Sequence, residues 1–444
     1  MAPSVDAKFI VVGAGLGGAL VATTLGRAGY AVELYEMRHD LRVAEVKGGR
    51  SINLALSHRG VCALDEVGLA ASVLEMAVPM RGRMIHAPSG RMTFQSYGTD
   101  ATHVIHSVSR GGLNAVLLDA ADRCDNVRLF FHHKCIDVDV DLGRVEFADT
   151  RTGETRTAGG GIVVSADGAF STVRRAMQKL DRFDYRQDYL AHGYKELTIP
   201  PGSDGSHQME RHALHIWPRR SFMMIALPNA DGSFTCTLFW PFEGPNGFDA
   251  LKTEAELRVF FRREFPDAVP LMPALADDYF ANPTSSLVTI RCRPWYYRDR
   301  VVLLGDACHA VVPFYGQGMN AAFEDVLVLS ECLDRHKPNW ERAFDEYQAA
   351  RKKHVDVLAE LALGNFIEMR DRTGSRWFLL KKRWEKLLHR LFPGWYLPLY
   401  NMVTHSRIPY ADAVERARRQ NGVVGIVLLI LAMFVLTSLL WIVA

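Results

Sequence analysis

KFIVVGAGLGGALVATTLGRAGYAVELYEMR, residues 8–38, is the stretch that decides the fold of this chain. Its pattern predicts a strand, a tight turn, a helix and a second strand. Gly13, Gly15 and Gly18 form Gly-x-Gly-x-x-Gly at the turn, which permits the bend, the approach of a pyrophosphate and close packing of the helix on the strand. Glu36 ends the second strand, where a carboxylate can accept hydrogen bonds from ribose hydroxyls. The stretch predicts a dinucleotide site in a Rossmann-like α/β domain; a glycine-rich packing turn is the alternative.

A second strand-to-helix junction lies far downstream, in VVLLGDACHAVVPFYGQGMNAAFED, residues 301–325. An apolar strand leads to Gly305 and Asp306, and an acid at that position can accept from a ribityl hydroxyl. Pro313 then leads to residues 316–320, whose amides open a helix and suit the electron-rich edge of an isoalloxazine ring. The motif at residues 8–38 does not distinguish NAD from FAD, but this second junction favours FAD.

A third junction, IVVSADGAFSTVRRAM (residues 162–177), ends a predicted strand in Asp167 and Gly168 and continues into a helix that carries Arg174. Each junction alone could be an ordinary capped turn. Their order along one chain predicts that the junction at 8–38 binds the diphosphate of FAD. The junction at 301–325 is then predicted to hold the redox ring.

Composition excludes several classes of protein. The 444 residues are too many for one small core, and the net charge of +2 lacks the basic excess of a nucleic-acid-binding protein. The seven cysteines are scattered without Cys-x-x-Cys, which is typical of reduced core residues and predicts neither disulfides nor a metal site.

The C-terminus is uncharged from Val423 onward, in VVGIVLLILAMFVLTSLLWIVA. A helix over 423–443 is long enough to cross a hydrocarbon core of about 30 Å. Arg416, Arg418 and Arg419 precede it, and positive flanks stay cytoplasmic, so we expect a single-pass tail anchor with the body facing the cytosol. The N-terminus shows no cleavable signal.

Residues 375–400, SRWFLLKKRWEKLLHRLFPGWYLPLY, predict an amphipathic helix. Trp377, Leu380, Trp384, Leu387, Leu388 and Leu391 recur at helical spacing with Lys and Arg between them. Packing on the body with a solvated basic face and lying on acidic lipid headgroups both remain open.

The three junctions resemble the signature motifs of the single-component, class A flavoprotein aromatic hydroxylases. Within that class, long runs over nearly the whole chain are similar to the kynurenine 3-monooxygenases. Among them are GRSINLALSHRG (49–60), MRGRMIHAPSG (80–90), SVSRGGLN (107–114), HGYKELTIPP (192–201), GQGMNAAFED (316–325), NFIEMR (365–370) and PLYNMVTHSRIPY (398–410). The hydrophobic tail also fits the membrane-bound members of this family.

The resemblance implies a reaction and its partners. NADPH would reduce FAD, and oxygen from O2 would pass through a flavin C4a-hydroperoxide to the ring of L-kynurenine, giving 3-hydroxykynurenine. This step belongs to tryptophan catabolism and NAD biosynthesis. The substrate's own amino group activates the ring, so we expect a dry, orienting cavity and no catalytic residue beyond the flavin. Membrane lipid is the expected partner of the C-terminal helix, and no nucleic acid or metal is expected.

The resemblance also implies a set of substrate contacts. Arg83 and Tyr97 match the family's carboxylate-binding pair, and Asn365 and Tyr400 add polar contacts. Glu368 is a candidate partner for the substrate ammonium or for positioning the redox step. Without the resemblance, ordinary surface pairing of Arg83 and Glu368 is equally compatible. We expect apolar contacts from a sheet domain, in which residues 214–241 hold two alternating strands joined at 229–232. The chosen positions are Leu214, Phe234, Pro313 and Phe314.

The expected cofactor contacts are spread over the whole FAD domain. They are Gly13, Gly15, Gly18, Glu36, Arg38, Ala55, Arg110, Asp167, Asp306, Gly316, Gly318, Met319 and Asn320. No second dinucleotide fingerprint is present, so NADPH is expected to visit a shallow site and leave.

The predicted organisation is discontinuous. The FAD-binding domain would comprise 1–80, 103–180 and 285–335, and an antiparallel-sheet substrate domain 81–102 and 181–284. A C-terminal helical segment would follow at 336–420, and the transmembrane helix at 423–443.

Two alternatives to this function stay open from the sequence. One is the same hydroxylase chemistry on another aromatic amino acid or anthraniloyl-type acid. The other is a lipid-handling protein of the same fold that has lost its flavin, which would be colourless when purified.

Overall fold

The computed structural model describes residues 7–43, 53–98, 103–372 and 376–443. Residues 49–52 of the matching run GRSINLALSHRG, the predicted domain boundary between 102 and 103, and the side chains of Trp377, Lys381 and Lys382 lie outside this description.

The described residues form nineteen strands. They are β1 (Lys8–Val12), β2 (Ala31–Tyr35), β3 (Asn53–Leu56), β4 (Val78–Met80), β5 (Gly82–His86), β6 (Met92–Ser96), β7 (Ile105–Ser109), β8 (Val127–Phe130), β9 (His133–Asp139), β10 (Arg144–Asp149), β11 (Thr155–Ala158), β12 (Ile162–Ser165), β13 (Asp184–Ile199), β14 (Ala213–Pro218), β15 (Met223–Pro228), β16 (Phe234–Pro241), β17 (Ser285–Arg293), β18 (Tyr296–Tyr297) and β19 (Val301–Leu303).

The helices become longer toward the C-terminus. They are α1 (Leu16–Arg27), α2 (His58–Glu66), α3 (Ala70–Glu75), α4 (Arg110–Asp122), α5 (Thr172–Met177), α6 (Glu254–Glu264), α7 (Leu275–Ala281), α8 (Asp306–His309), α9 (Gly318–His336), α10 (Trp340–Ile367), α11 (Arg376–Leu391), α12 (Leu399–Thr404) and α13 (Tyr410–Val443). A single 3-10 turn, Pro313–Tyr315, precedes α9, and a π-helical turn, Glu368–Arg372, ends α10.

A six-stranded sheet in the order β18-β19-β12-β1-β2-β8 forms the Rossmann-like half. All neighbouring strands are parallel except β18 and β19. The strands β1, β12 and β19 lie side by side and end at the same edge, because parallel strands share a direction. The three junctions recognised in the sequence therefore meet at one edge of this sheet, and the predicted α/β fold with a Rossmann-like FAD-binding half is confirmed.

A seven-stranded sheet in the order β17-β13-β16-β15-β14-β5-β6 forms the second half. It is antiparallel apart from the β14–β5 pair. The segment 213–241 holds three strands, β14, β15 and β16, where two were expected. The strand β17 pairs with β13 in this sheet, although the sequence analysis placed residues from 285 onward in the FAD-binding domain.

The C-terminal helices pack across the junction between the two halves. Helix α10 lies against α9, and α13 begins at Tyr410, which is fully buried in the main core. From Val423 the side chains of α13 are largely exposed. Within the described residues, α13 is the one helix long and apolar enough to cross a membrane, with a mean hydropathy of 1.5 over Tyr410–Val435.

Candidate functional site: a cavity between the two sheets

The glycines of the first junction are required for different reasons. Gly13 has a φ of +96°, and a Cβ there would lie 2.6 Å from the carbonyl oxygen of Ala166. A Cβ at Gly18 would lie 1.8 Å from the carbonyl oxygen of Gly13. Gly15 has an ordinary φ of −67°, and a Cβ there would meet no described atom within 4 Å. Packing of the protein explains Gly13 and Gly18, whereas the open space at Gly15 suits a ligand that must approach the backbone.

Glu36 stands beside this turn as a buried carboxylate. It accepts hydrogen bonds from the backbone N–H of Ala14 at 2.9 Å and from the Arg38 guanidinium at 2.7 Å. Burial alone would raise the pKa of Glu36, but the Arg38 guanidinium and the amides outweigh it, so the pKa is lowered. The end of β2 therefore presents a stable anion next to the phosphate-binding turn, with lone pairs left for sugar hydroxyls.

The carboxylate of Asp167 is used by the protein itself. It accepts hydrogen bonds from the Ser165 hydroxyl at 2.6 Å and from the Thr172 N–H at 2.7 Å, which fixes the start of α5. Arg174 on α5 donates to the carbonyl oxygen of Ala307 at 2.7 Å and thereby joins the second and third junctions. The structure thus places Asp167 in a supporting position behind the site.

Asp306 and Arg110 line the same cavity, and they come from α8 and α4 respectively. Asp306 follows Gly305, which has a φ of +61°, and its side chain is exposed to the cavity. Burial raises its pKa, against the opposing effects of His309 and Arg110. An acid held in this way can hydrogen-bond a neutral hydroxyl, as the sequence analysis expected for a ribityl chain.

The side chain of Asn320 fixes the loop of the second junction through three hydrogen bonds. Its amide donates to the carbonyl oxygens of Ala55 and Gly316, both at 2.8 Å, and its oxygen accepts from the N–H of Ser57 at 2.9 Å. All three side-chain hydrogen bonds are therefore made within the protein. Asn320 is placed to hold β3 and the loop together, so that the loop amides are presented to the cavity.

One cavity of about 330 Å3 lies between the two sheets and gathers most of the expected site residues. A volume near this value is at the lower end for ligand-binding sites. The expected residues that line it are Ala55, Arg83, Tyr97, Arg110, Leu214, Asp306, Pro313, Phe314, Gly316, Gly318, Met319 and Tyr400. The walls of the sheet side are apolar, with Met223, Ile225 and Phe239 among them.

Arg83 is a buried charge that lines one end of this cavity. Its guanidinium carbon lies 4.9 Å from the ring centre of Tyr400 and 5.8 Å from that of Tyr97, and the two rings stack on each other at 5.5 Å. Its buried Nε has no hydrogen-bond partner in the described part of the chain. Burial works against the charge, but the Tyr400 and Tyr97 hydroxyls stabilise it more, so the pKa of Arg83 is raised and it stays protonated.

Burial also raises the pKa of Tyr97 and Tyr400, so both phenols remain neutral donors beside Arg83. A buried cation with an unused N–H and two flanking hydroxyls is a suitable receptor for a carboxylate, because the planar guanidinium can form two parallel hydrogen bonds.

Asn365 and Glu368 are not brought to the central cavity. The amide of Asn365 donates to the carbonyl oxygen of Phe314 at 2.6 Å, so it positions the loop that closes the cavity. Glu368 lines an adjoining cavity of about 260 Å3, which shares Arg83, Tyr97 and Tyr400 with the first. We name this second cavity the vestibule.

Phe234 is a correction to the expected site. It is fully buried, but it packs in a separate core with Trp217 and the helices α6 and α7. In β16 the side chains of Thr237 and Phe239 face the central cavity, and those of even-numbered residues face the opposite side. Alternation along the strand excludes Phe234 from the cavity.

The sequence analysis counted the Gln317 amide among those of residues 316–320, but it missed the side chain of Gln317 and it missed Tyr410. Gln317 lines the cavity, and its side-chain oxygen accepts from the Tyr410 hydroxyl at 3.2 Å and from the Ser57 hydroxyl at 3.4 Å. Tyr410 is the first residue of α13, and Arg59 lies 4.1 Å above its ring. The loop of the second junction is therefore tied to the start of the C-terminal helix.

A buried network of charges extends this connection behind the loop. Arg59 pairs with Glu324 at 2.7 Å, and Arg351 pairs with Glu324 at 2.6 Å and with Asp325 at 2.7 Å. His309 also belongs to this network, since its Nε2 lies 2.5 Å from the carboxylate of Asp325. The sequence signal was the pair of acids in GQGMNAAFED, which falls on a helix face that is buried in the structure.

Comparisons with known proteins agree with this architecture. A family model described as "FAD binding domain" matches residues 6–362. The chain is 48% identical over 415 residues to the kynurenine 3-monooxygenase of Myxococcus xanthus (strain DK1622), covering 94% of this chain and 89% of the relative. It is 50% identical over 417 residues to the kynurenine 3-monooxygenase of Salinispora tropica, covering 94% and 92%.

Among solved structures, the chain is similar to the tetrameric form of 2-methyl-3-hydroxypyridine-5-carboxylic acid oxygenase. The TM-score is 0.68 at 20% sequence identity, covering 85% of this chain and 96% of the other. At that identity the likeness concerns the fold alone.

Proposed function

The chain belongs to the kynurenine 3-monooxygenase family of class A FAD-dependent aromatic hydroxylases, and from this premise we propose roles for the residues that line its central cavity. It is a flavoprotein enzyme that hydroxylates L-kynurenine to 3-hydroxykynurenine with FAD, NADPH and O2. The identities of its relatives do not favour a different aromatic acid as substrate.

Arg83 carries the proposal for substrate binding. L-Kynurenine is an amino acid, so its carboxylate must be held while its aromatic ring lies in an apolar environment. The unused Nε of Arg83 and the hydroxyls of Tyr97 and Tyr400 supply charge-assisted donors at one end of the cavity. Leu214 and Phe239 supply apolar contacts along the sheet wall.

The substrate ammonium lies, in this proposal, toward the vestibule. Glu368 lines the vestibule and interacts electrostatically with Arg83. A zwitterion held with its carboxylate on Arg83 can therefore direct its ammonium to Glu368. Asn365 contributes indirectly, since it fixes Phe314, whose side chain lines the central cavity and stacks on Phe366.

The residues at the three junctions fit FAD. The open space at Gly15 accommodates the diphosphate, and Glu36 and Arg38 lie where ribose hydroxyls are expected. Arg110 and Asp306 line the central cavity together with the loop of residues 316–319. When bound, FAD supplies the redox and oxygen-transfer chemistry. Asp167 and Asn320 act by fixing the elements that present these groups.

The chain's own contribution to the reaction is orientation and exclusion of water. The phenols of Tyr97 and Tyr400 stay neutral at physiological pH, so within the set formed with Arg83 the guanidinium alone carries a charge. Apolar walls would limit water near the substrate ring and so exclude side reactions with water. The proposal requires no side chain to act as a general acid or base, because the substrate ring is activated by its own amino group.

We further propose that the chain is divided into a discontinuous FAD-binding domain, a sheet domain that binds the substrate, and a C-terminal helical segment.

Helix α13 would anchor the protein in a membrane from Val423, with its body on the cytosolic side because Arg416, Arg418 and Arg419 precede the span. The membrane would be the mitochondrial outer membrane in a eukaryote or the inner membrane in a bacterium.

The function is tested by NADPH oxidation in the FAD-loaded, full-length protein with and without L-kynurenine, followed by product analysis. We expect L-kynurenine to accelerate NADPH oxidation and 3-hydroxykynurenine to accumulate. No acceleration together with no hydroxylated product would overturn the assignment.

A further inference from the structure

Four of the five apolar side chains described in helix α11 are exposed, and the fifth, Leu388, is partly buried. Leu380, Trp384, Leu387 and Leu391 follow one stripe of the helix, and 43–59% of each is exposed. The next residues continue this surface, since Phe392 and Trp395 are also exposed. We name Leu380, Trp384, Leu387, Leu391, Phe392 and Trp395 the outward apolar surface.

Several polar side chains of α11 are turned toward the protein, whereas Arg383 and Arg390 are exposed. Arg383, Glu385, Lys386 and His389 line the vestibule, on the side opposite Arg83. Lys386 donates to the carbonyl oxygen of Ser96 at 2.9 Å, which holds the helix against β6. A helix on a water-soluble surface buries its apolar stripe and exposes its polar one. The orientation of α11 is the reverse, which indicates an apolar medium outside it.

The position of the membrane span identifies that medium. The Tyr396 hydroxyl donates to the side-chain oxygen of Asn421 at 3.1 Å, and the Gln420 amide donates to the carbonyl oxygen of Trp395. Both contacts fall just before Val423, where the uncharged part of α13 begins. The outward apolar surface is therefore continuous with the point at which α13 would enter a bilayer.

The charge of the helix suits an anionic lipid surface. The sequence of residues 376–391 contains six Lys or Arg and one Glu, and Arg383 and Arg390 are exposed at the borders of the apolar stripe. Basic residues flanking tryptophan and leucine are typical of helices that lie in the interface between headgroups and acyl chains.

We propose that α11 docks through its outward apolar surface on the anionic lipid surface entered by α13, and that the lipid thereby holds the outer wall of the vestibule. The docking itself needs only the described surface. Its consequence for kynurenine rests on the proposed function, because the vestibule leads to Arg83.

Lipid contact is tested with Trp384 as the reporter in the full-length FAD-loaded protein. The protein is reconstituted in phosphatidylcholine vesicles with a minor fraction of phosphatidylglycerol, and the fluorescence of Trp384 is obtained as the difference between the wild type and Trp384→Phe. We expect acyl chains brominated near the headgroup to quench this difference, and aqueous iodide to leave it unchanged.

Two results would overturn the docking. Quenching of Trp384 by iodide and not by brominated lipid would show that the surface faces water. Protection from both quenchers, together with cross-links between two copies of the chain through α11, would show that a second copy covers it.

The effect on the vestibule is tested with Leu380→Glu/Leu387→Glu, which leaves Trp384 as the reporter. We expect Trp384 to become accessible to iodide and the KM for L-kynurenine to rise, with FAD retained. The matched control is Val259→Glu on α6, where the replaced side chain is 64% exposed on the sheet domain; it should change neither quantity. Loss of docking with an unchanged KM would refute the effect on the vestibule.

The two parts of the proposal fail in distinguishable ways. The quenching measurement needs no turnover, so it stands or falls independently of kynurenine hydroxylation. Absence of product in the wild type would instead reject the proposed function.

Discussion

The glycine turn at residues 8–38 and the Arg83 end of the central cavity, for which we propose cofactor binding and substrate binding, are built differently. The turn comes from 31 consecutive residues, and its geometry is local. The Arg83 end is formed by β5, β14, the loop before α9 and the start of α12, which are brought together only by packing of two sheets and the C-terminal helices.

This difference determines how each region tolerates change. Close backbone contacts define the turn, so replacing one of its glycines by alanine can destabilise the fold. Side-chain chemistry defines the Arg83 end, where the backbone forms regular strands and a substitution alters binding before it alters folding. The following predictions sharpen this contrast, in order of decreasing effect.

The largest effect is expected at Gly18. The Cβ of Gly18→Ala would lie 1.8 Å from the Gly13 carbonyl oxygen, so helix α1 must move away from β1. We expect a loss of about 4 kcal/mol or more in the free energy of unfolding, which is a large fraction of the total for a typical domain. Thermal unfolding measured by circular dichroism would show it.

Gly15→Ala is the matched control within the same turn. A methyl group there meets no described atom within 4 Å, so the stability of the FAD-free protein should change by about 0.5 kcal/mol or less. Its affinity for FAD should fall by at least about tenfold, since the methyl group would occupy the ligand's space. If FAD affinity is unchanged, the diphosphate does not bind at this turn.

Arg83→Ala should affect substrate binding alone. Removal of a buried guanidinium that pairs with a carboxylate costs about 3 kcal/mol, so kcat/KM for L-kynurenine should fall by about two orders of magnitude while FAD stays bound. Arg83→Lys keeps the charge but loses the planar fork, and about a tenfold loss is expected.

A kynurenine analogue without the α-carboxylate serves as the control substrate for Arg83. Wild type and Arg83→Ala should use it with similar kcat/KM, because it has nothing to pair with the guanidinium. A large difference between the two proteins with this analogue would mean that Arg83 acts on another part of the reaction, and loss of FAD would mean that it holds the cofactor.

The two faces of β16 can be compared directly. Phe234→Leu and Phe239→Leu remove similar volumes from buried positions, so each should lower the free energy of unfolding by about 1–2 kcal/mol. Only Phe239→Leu should also change the KM for L-kynurenine, since only Phe239 lines the cavity. Steady-state kinetics of both variants would contradict this if Phe234→Leu had the larger effect on KM.

The smallest effect is expected at Tyr410, where a distant helix meets the flavin loop. Tyr410→Phe removes the hydrogen bond to Gln317, worth about 1 kcal/mol, and should weaken FAD binding by about fivefold. Tyr396→Phe is the control, because it loses a comparable hydrogen bond to Asn421 away from the cavity. Equal FAD affinity in both variants would show that Tyr410 does not position the loop.

The structure also shows why some site residues could be found in the sequence and others could not. The three junctions were recognisable because each is a short stretch in which spacing and residue type define the geometry. Phe234 was misplaced because seven of the eight residues of β16 are buried, so hydrophobicity does not alternate along the strand and does not show which face meets the cavity. Resemblance to relatives pointed to Arg83, but its unused Nε is visible only in the structure.

By itself, the sequence determined the Rossmann-like half, the choice of FAD, the family and the apolar C-terminal helix, because these depend on local backbone geometry and on contiguous patterns. The tertiary structure decided which of the candidate residues share the central cavity, why Asp167 and Asn320 support it from behind, and how Gln317 is tied to Tyr410. It also decided the orientation of α11. An amphipathic pattern gives a helix two faces, but only packing against the vestibule determines that the polar face turns inward and leaves the apolar one outside.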